Sequence, residues 1–381
     1  MRLDVACSHI VDCEHKTAPI DADGEYFAVG TPAMREHRIE YAEARRISRV
    51  TFEAWTRRLA PSPGDLLLAR EAPVGPVVRL PEAANVAPGQ RTVLLRPDPQ
   101  VADSAFLYYA LTSPSAQAGL VVKAEGSTVH HLNVPDIRSF DVWVPPLPEQ
   151  QAIAEVLGAL DDKIAANTAL AATADLYAST VLLDSLGAGR VRLASVALIT
   201  MGSSPKGDTL NELGQGVPFY QGVRDFGFRS PTRRVFTTAP VRSANAGDIL
   251  VSVRAPVGDV NIADEPVCIG RGIAAVRSTT GTQATLLHQL KAERDVWEPF
   301  EAEGTVFGSI NRDQLHGIQL HAVAPERVEF VEKELAAIES SIAATLAENR
   351  TLAATRDALL PQLMSGKLRV RDAEAAASAV L

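Results

Sequence analysis

A chain of 381 residues with 46% hydrophobic content is long for one domain and carries enough apolar material for two ordinary cores. Three cysteines, Cys7, Cys13 and Cys268, are too few and too odd in number for a disulfide framework and fit a reducing compartment. No apolar stretch approaches membrane-spanning length, and Asp4, Asp12 and Glu14 fall where a signal peptide needs its apolar core, so a soluble cytoplasmic protein with no membrane partner is expected.

The net charge of −9 argues, as a sum, against a nucleic-acid binder, because phosphate neutralisation favours Lys and Arg. The distribution is uneven. Residues 1–146 hold 15 basic and 18 acidic side chains and 187–324 hold 14 and 13, whereas 147–186 hold 1 and 6. The acidity is therefore concentrated in one segment, and each flanking part is Arg-rich and near balance, which a DNA face on one side of a domain allows.

In chain order, the first part (1–146) reads as mixed, with β-rich runs at 66–69 and 141–144 among Gly and Pro turns and a helical patch at 105–111. It closes on Val144-Pro145-Pro146-Leu147-Pro148-Glu149, where proline in a first turn beside a carboxylate signals a helix start. The next segment (147–186) sets Ile153, Leu157, Leu160, Ile164, Asn167, Ala171, Ala174, Ala178 and Val181 at alternating steps of four and three, a heptad seam. A second mixed part (187–324) has a β-rich run at 249–253 and a helical patch at 285–293, and ends on Val323-Ala324-Pro325-Glu326. The last segment (325–381) repeats the seam at Leu335, Ile338, Ile342, Leu346, Asn349, Ala353, Arg356, Leu360 and Leu363, with one extra step of four that reads as a stutter. The Ala-rich tail after Val370 is expected to be disordered.

The chain contains itself twice. Gly64-Asp65-Leu-Leu-Leu-Ala-Arg-Glu-Ala-Pro-Val-Gly75 returns as Gly247-Asp248-Ile-Leu-Val-Ser-Val-Arg-Ala-Pro-Val-Gly258. Glu125-Gly126-Ser127-Thr128 with Leu132-Asn133 answers to Glu303-Gly304-Thr305 with Ile310-Asn311, and Phe27-Ala-Val-Gly30 to Phe219-Tyr-Gln-Gly222. The two helices share Asn167-x-x-Leu170-Ala171-Ala172-Thr173 and Asn349-x-x-Leu352-Ala353-Ala354-Thr355. Each helix could simply lie on its own domain. The shared Asn, a register device in an apolar seam, and the small-residue stripe favour the helices packing on one another, and antiparallel is expected because each must leave one globular part and return the chain to the other.

That order of elements, with Val144-Pro-Pro-Leu-Pro-Glu-Gln-Gln-Ala-Ile153 opening the first helix and Leu359-Leu360-Pro361-Gln362-Leu363-Met364-Ser365-Gly366-Lys367-Leu368 closing the second, resembles the specificity subunits of Type I restriction-modification systems. The second opening, Ala324-Pro325-Glu326-Arg327, lacks the Glu-Gln-Gln of the first. The resemblance implies an α+β fold: two mixed α/β target-recognition domains in tandem repeat, separated by two long helices packed as an antiparallel coiled coil. It implies a non-catalytic subunit that reads a bipartite site on double-stranded DNA and docks methyltransferase (modification) and nuclease-translocase (restriction) subunits. A two-domain protein-binding scaffold without DNA specificity is the alternative.

The chemistry on the chain agrees with a binding role without cofactors. There is no Asn-Pro-Pro-aromatic or Asp-Pro-Pro-aromatic tetrapeptide and no Walker loop, and Gly187-Ala188-Gly189 reads as a helix cap. Cys7, His9, Cys13 and His15 offer four metal-ligand types within nine residues. They could equally be buried cysteines with surface histidines, and the lack of counterparts at 198–206 favours that reading, so no metal is expected. For phosphate and base-edge contacts the candidates are His15, Lys16, Thr17, Arg70, Ser127, Thr128 and His130 in the first part. In the second they are Ser204, Lys206, Gln221, Arg224, Arg254, Thr305 and Ser309. Arg70 and Arg254 are one position apart in the repeat, so on a regular strand they face opposite ways.

Overall fold

The computed structural model describes residues 1–83, 85–124, 130–301 and 308–381. It divides into two compact units, one formed by Met1–Asn167 with Ala347–Leu381 and the other by Thr168–Leu346. Two helices of 37 residues each, Leu147–Leu183 and Val328–Met364, contribute one part to each unit.

The first unit is built on a four-stranded antiparallel sheet in the order Cys7–Asp12, Thr92–Pro97, Leu66–Arg70, Val74–Arg79. The apolar run of the repeat forms the inner strand Leu66–Arg70 and is covered on both faces, which is why it does not alternate. Leu66 and Leu68 join Leu3, Ile10, Leu107 and Leu111, while Leu67 and Ala69 join Val29, Val78 and Leu94. A smaller sheet sets Tyr26–Val29 between Arg45–Ile47 and a parallel strand Val86–Pro88.

The second unit repeats this order as Ala197–Met201, Ile273–Ser278, Ile249–Ser252, Val260–Ile262, again antiparallel and again with its inner strand wholly buried. Its smaller sheet also contains a parallel pair, Val217–Tyr220 with Val267–Ile269. The Gly-Asp of the repeat has the same task in both units. Gly64 and Gly247 take φ of +83° and +81°, and the following aspartate accepts a backbone N–H across the turn, from Ser62 at 2.8 Å and from Asn245 at 2.7 Å.

In the first unit the helix segments run antiparallel along a shared seam. Ile153, Leu157, Leu160 and Ile164 pack with Leu352, Leu359, Leu360 and Leu363, and with Phe106 and Tyr109 of the helix Ser104–Thr112. The polar pairs keep the opposed direction: Arg356 to Asp161 at 2.6 Å, Asn349 to the Ile164 carbonyl at 3.3 Å, and Asn167 to Glu348 at 2.8 Å. Buried Gln150 fixes the start of the first helix by donating to the carbonyls of Val101 and Pro145 and accepting the Asp103 N–H. In the second unit Leu335 is buried and Ile338 half-buried against Ala178, Leu182 and Val331, and Ile342 is buried.

Three sequence readings are corrected. The Ala-rich tail is a helix, Val370–Ser378, whose Ala373 and Ala377 are buried in the first unit's seam, because small residues four apart form one close-packing stripe. Gly187 and Gly189 lie in the strand Leu186–Arg192, paired with Gln319–Val323, rather than capping a helix; partner hydrogen bonds decide their conformation. Residues 141–144 form no strand: Asp141 makes one isolated bridge to Arg2, and the prolines that follow offer no N–H to extend a ladder.

Candidate nucleic-acid interface

At one end of each four-stranded sheet, the turn leaving the parallel strand meets the segments that follow the first and inner strands. In the second unit the turn is Gly270-Arg271-Gly272. Gly270 N–H donates to Tyr220 O at 2.8 Å, Gly272 N–H to Gln221 O at 3.0 Å, and Val253 N–H to Gly272 O at 2.9 Å. Ser204 Oγ donates to Gln221 Oε1 at 2.8 Å and lies 3.5 Å from Arg271 N. Lys206, Gln221, Arg224, Arg254 and Arg271 are exposed around this lattice, and Arg254 bridges to Ser309 through the backbone.

In the first unit the equivalent turn is Gly89-Gln90-Arg91. Gly89 N–H donates to Val29 O at 2.8 Å and Arg70 N–H to Arg91 O at 2.9 Å. Thr17 Oγ1 donates to Gln90 Oε1 at 3.2 Å, and Arg91 pairs with Glu71 at 3.2 Å. His15, Lys16 and Thr17 are exposed beside it, with His15 3.0 Å from Asp12. His130 is exposed as well.

Arg70 behaves differently from the other candidates. Its side chain is only 13% exposed, donates to Leu132 O at 3.0 Å and faces Asp12 at 3.5 Å, so it braces the sheet against the segment at 132. Arg254, one position further on in the repeat, is exposed. Ser127, Thr128 and Thr305 lie outside the described residues. Gln90, Arg91 and Arg271 were missed in the sequence. The signal was the pairing of Pro88-Gly-Gln-Arg91 with Ile269-Gly-Arg-Gly272, at nearly the offset of the Gly-Asp repeat.

Cys7, His9, Cys13 and His15 do not converge on one point among the described residues. Both cysteines are buried while both histidines are exposed, and burial, aided by Asp65, pushes the Cys7 thiol up to about 12. Asp175, His288 and Glu339, in the second unit, do bring ligand atoms within 4.8 Å of one another. Their carboxylates are already engaged by Arg229, which pairs with both, and by Lys291, 2.6 Å from Asp175 Oδ2. This is an internal ion network that ties both long helices to the helix Gln283–Ala292.

Residues 56–174 match the family model described as the Type I restriction modification DNA specificity domain. The chain is 26% identical, over 74% of its length and 72% of the relative's, to a protein of Methanocaldococcus jannaschii named putative type I restriction enzyme MjaX specificity subunit. Among solved structures, the Type I restriction-modification system S subunit from M. genitalium is 18% identical over 95% of each chain with a TM-score of 0.58, a likeness of fold. The HsdS subunit from Thermoanaerobacter tengcongensis is 23% identical over 97% of this chain and 96% of that one, with a TM-score of 0.37.

Proposed function

This chain belongs to the specificity subunits of Type I restriction-modification systems, and we propose that it reads a two-part sequence on double-stranded DNA, one half with each unit. The observation that carries this reading is the recurrence of one sheet order with one hydrogen-bonded turn at its edge, dressed with different polar side chains in the two units. A scaffold repeated with changed loop residues is what two independent readers need, since backbone positions fix the docking and side chains fix the bases. Lys16, Lys206 and Arg224 suit phosphates, being exposed point or fork charges beside the turns.

The chain acts without catalysis of its own and directs methylation and restriction by methyltransferase and nuclease-translocase subunits. The long helices serve as the spacer between the readers. Among the described residues no helix is long and apolar enough to cross a membrane. The test is modular exchange: replacing residues 1–146 with the corresponding part of a relative changes one half of the methylated sequence and leaves the other. Alteration of both halves, or of neither, contradicts the reading. Methyl transfer from S-adenosylmethionine by the purified chain alone contradicts its non-catalytic role.

A further inference from the structure

Gln90 and Arg271 stand at the same place in the two units. Each is the tip of the turn that leads from the parallel strand, Val86–Pro88 or Val267–Ile269, into an inner strand of the four-stranded sheet. The same backbone bonds pin both turns: Gly89 to Val29 and Gly270 to Tyr220, Arg70 to Arg91 and Val253 to Gly272, Cys13 to Thr92 and Gly202 to Ile273. The fit leaves no slack, since a Cβ on Gly89 would lie 2.4 Å from Gly30 N and one on Gly272 2.5 Å from Gln221 O. Such a turn presents its tip side chain from a fixed origin, as a group that must find a base edge requires.

Both tips are exposed. Among the described residues the Arg271 guanidinium has no carboxylate or hydrogen-bond partner. The Gln90 carbonyl accepts from Thr17 and keeps a second lone pair, with both amide N–H groups open. A pair of tips built for phosphate neutralisation would carry positive charge in both units. One tip is neutral and the other cationic, and what they share is a planar head able to form two parallel hydrogen bonds. Arginine makes that pair with guanine O6 and N7, and glutamine with adenine N6 and N7.

We infer that Arg271 and Gln90 are base-reading residues, Arg271 for a guanine in one half-site and Gln90 for an adenine in the other. The inference rests on the proposed function and adds to it the residues and the bases.

The test replaces the chromosomal gene, so that the full chain works in its own complex, and maps methylated sites for wild type, Arg271→Ala, Arg271→Lys and Gln90→Ala. The expected result is that Arg271→Ala relaxes one guanine position in one half-site, lowering its preference roughly ten- to a hundredfold, and that Arg271→Lys, which lacks the planar fork, relaxes the same position to a lesser degree. Gln90→Ala relaxes an adenine in the other half. An unchanged sequence in the Ala variants overturns the inference. So does a uniform loss of methylation that Arg271→Lys restores, because that is a phosphate contact. If wild type directs methylation to no sequence, the proposed function itself fails.

Discussion

Arg96 donates from Nε and Nη2 to both carboxylate oxygens of buried Asp65, at 2.9 and 2.7 Å. Arg277 pairs with Asp248 at the matching place through one oxygen, Nε to Oδ1 at 2.5 Å, with its Nη2 donating to Ala246 O instead. Each pair bolts the turn before the inner strand to the neighbouring strand, and each aspartate also holds a backbone N–H of its own turn. Removing the cation leaves a carboxylate that is 3% exposed without its charge partner. Arg96→Ala is therefore expected to cost about 2–4 kcal/mol, roughly one less than the ~3–5 for a fully buried pair because Arg96 reaches solvent. Urea unfolding of the single and double Ala variants checks this: the double variant should cost less than the sum of the singles, and additive costs would deny the coupling.

The repeat that contains these aspartates was plain in the sequence, as were both heptad seams, because identity at fixed spacing and a 3.5-residue period are one-dimensional signals. The partners were not. Arg96 lies 31 residues from Asp65 and Arg356 lies 195 from Asp161, separations that only the sheet order and the antiparallel helices bring together. Arg70 was legible as an arginine at a loop edge, yet its bond to Leu132 O turns it inward. Gln90 and Arg271 escaped notice because Pro88-Gly-Gln-Arg91 and Ile269-Gly-Arg-Gly272 share only their first glycine, too little identity to stand out as a repeat.

The second unit should lose stability in acid through one imidazole. His288 is 1% exposed, with Nε2 2.8 Å from Glu339 Oε1, so the neutral ring donates there and leaves Nδ1 without a partner. Protonation would add a charge with no acceptor, beside Lys291 and Arg229. Burial first, and then those two cations, bring its pKa down to about 4 from 6.5, with Asp175 pulling weakly the other way. The unfolded chain thus binds a proton near pH 6.5 that the folded chain refuses until about 4. The stabilisation is complete above the higher value and is lost as pH falls towards the lower, by at most about 3 kcal/mol. Urea melts from pH 4.5 to 7.5 should show this slope in wild type and a flatter one in His288→Gln, which keeps the donor to Glu339 without titrating. An equal slope in both proteins assigns the acid sensitivity elsewhere.

The terminal helix Val370–Ser378 is expected to be part of the first unit's core rather than an appendage. Ala373 is fully buried in the cluster that holds Leu360 and Leu363, so Ala373→Asp puts a carboxylate into an apolar seam. A loss of about 3 kcal/mol or more is expected, against less than about 0.5 for Glu374→Ala on the exposed side. Thermal unfolding distinguishes them, and matched melting temperatures for the two variants would return the tail to the status of a loose extension.

The helices provide the last prediction. In the first unit, Asn167 is held by Glu348 and Asn349 by the Ile164 carbonyl, so the outgoing and returning helices are locked in one register there. In the second unit the same two helices are locked again, through Asp175 and Glu339, both bound by Arg229. A change of length between these two locks must therefore be made in both helices at once, because a one-sided insertion forces one lock open. Four residues added to each lengthen the helices by about 6 Å at 1.5 Å per residue and turn the seam by roughly 40°, the kind of stutter that the second helix already carries. At about 3.4 Å per base pair that is nearly two base pairs, so the variant is expected to methylate the same two half-sites at a longer spacing. Either half-site changing would mean that the insertion reached the readers. A folded, active variant that kept the original spacing would show that something other than the helices sets the distance.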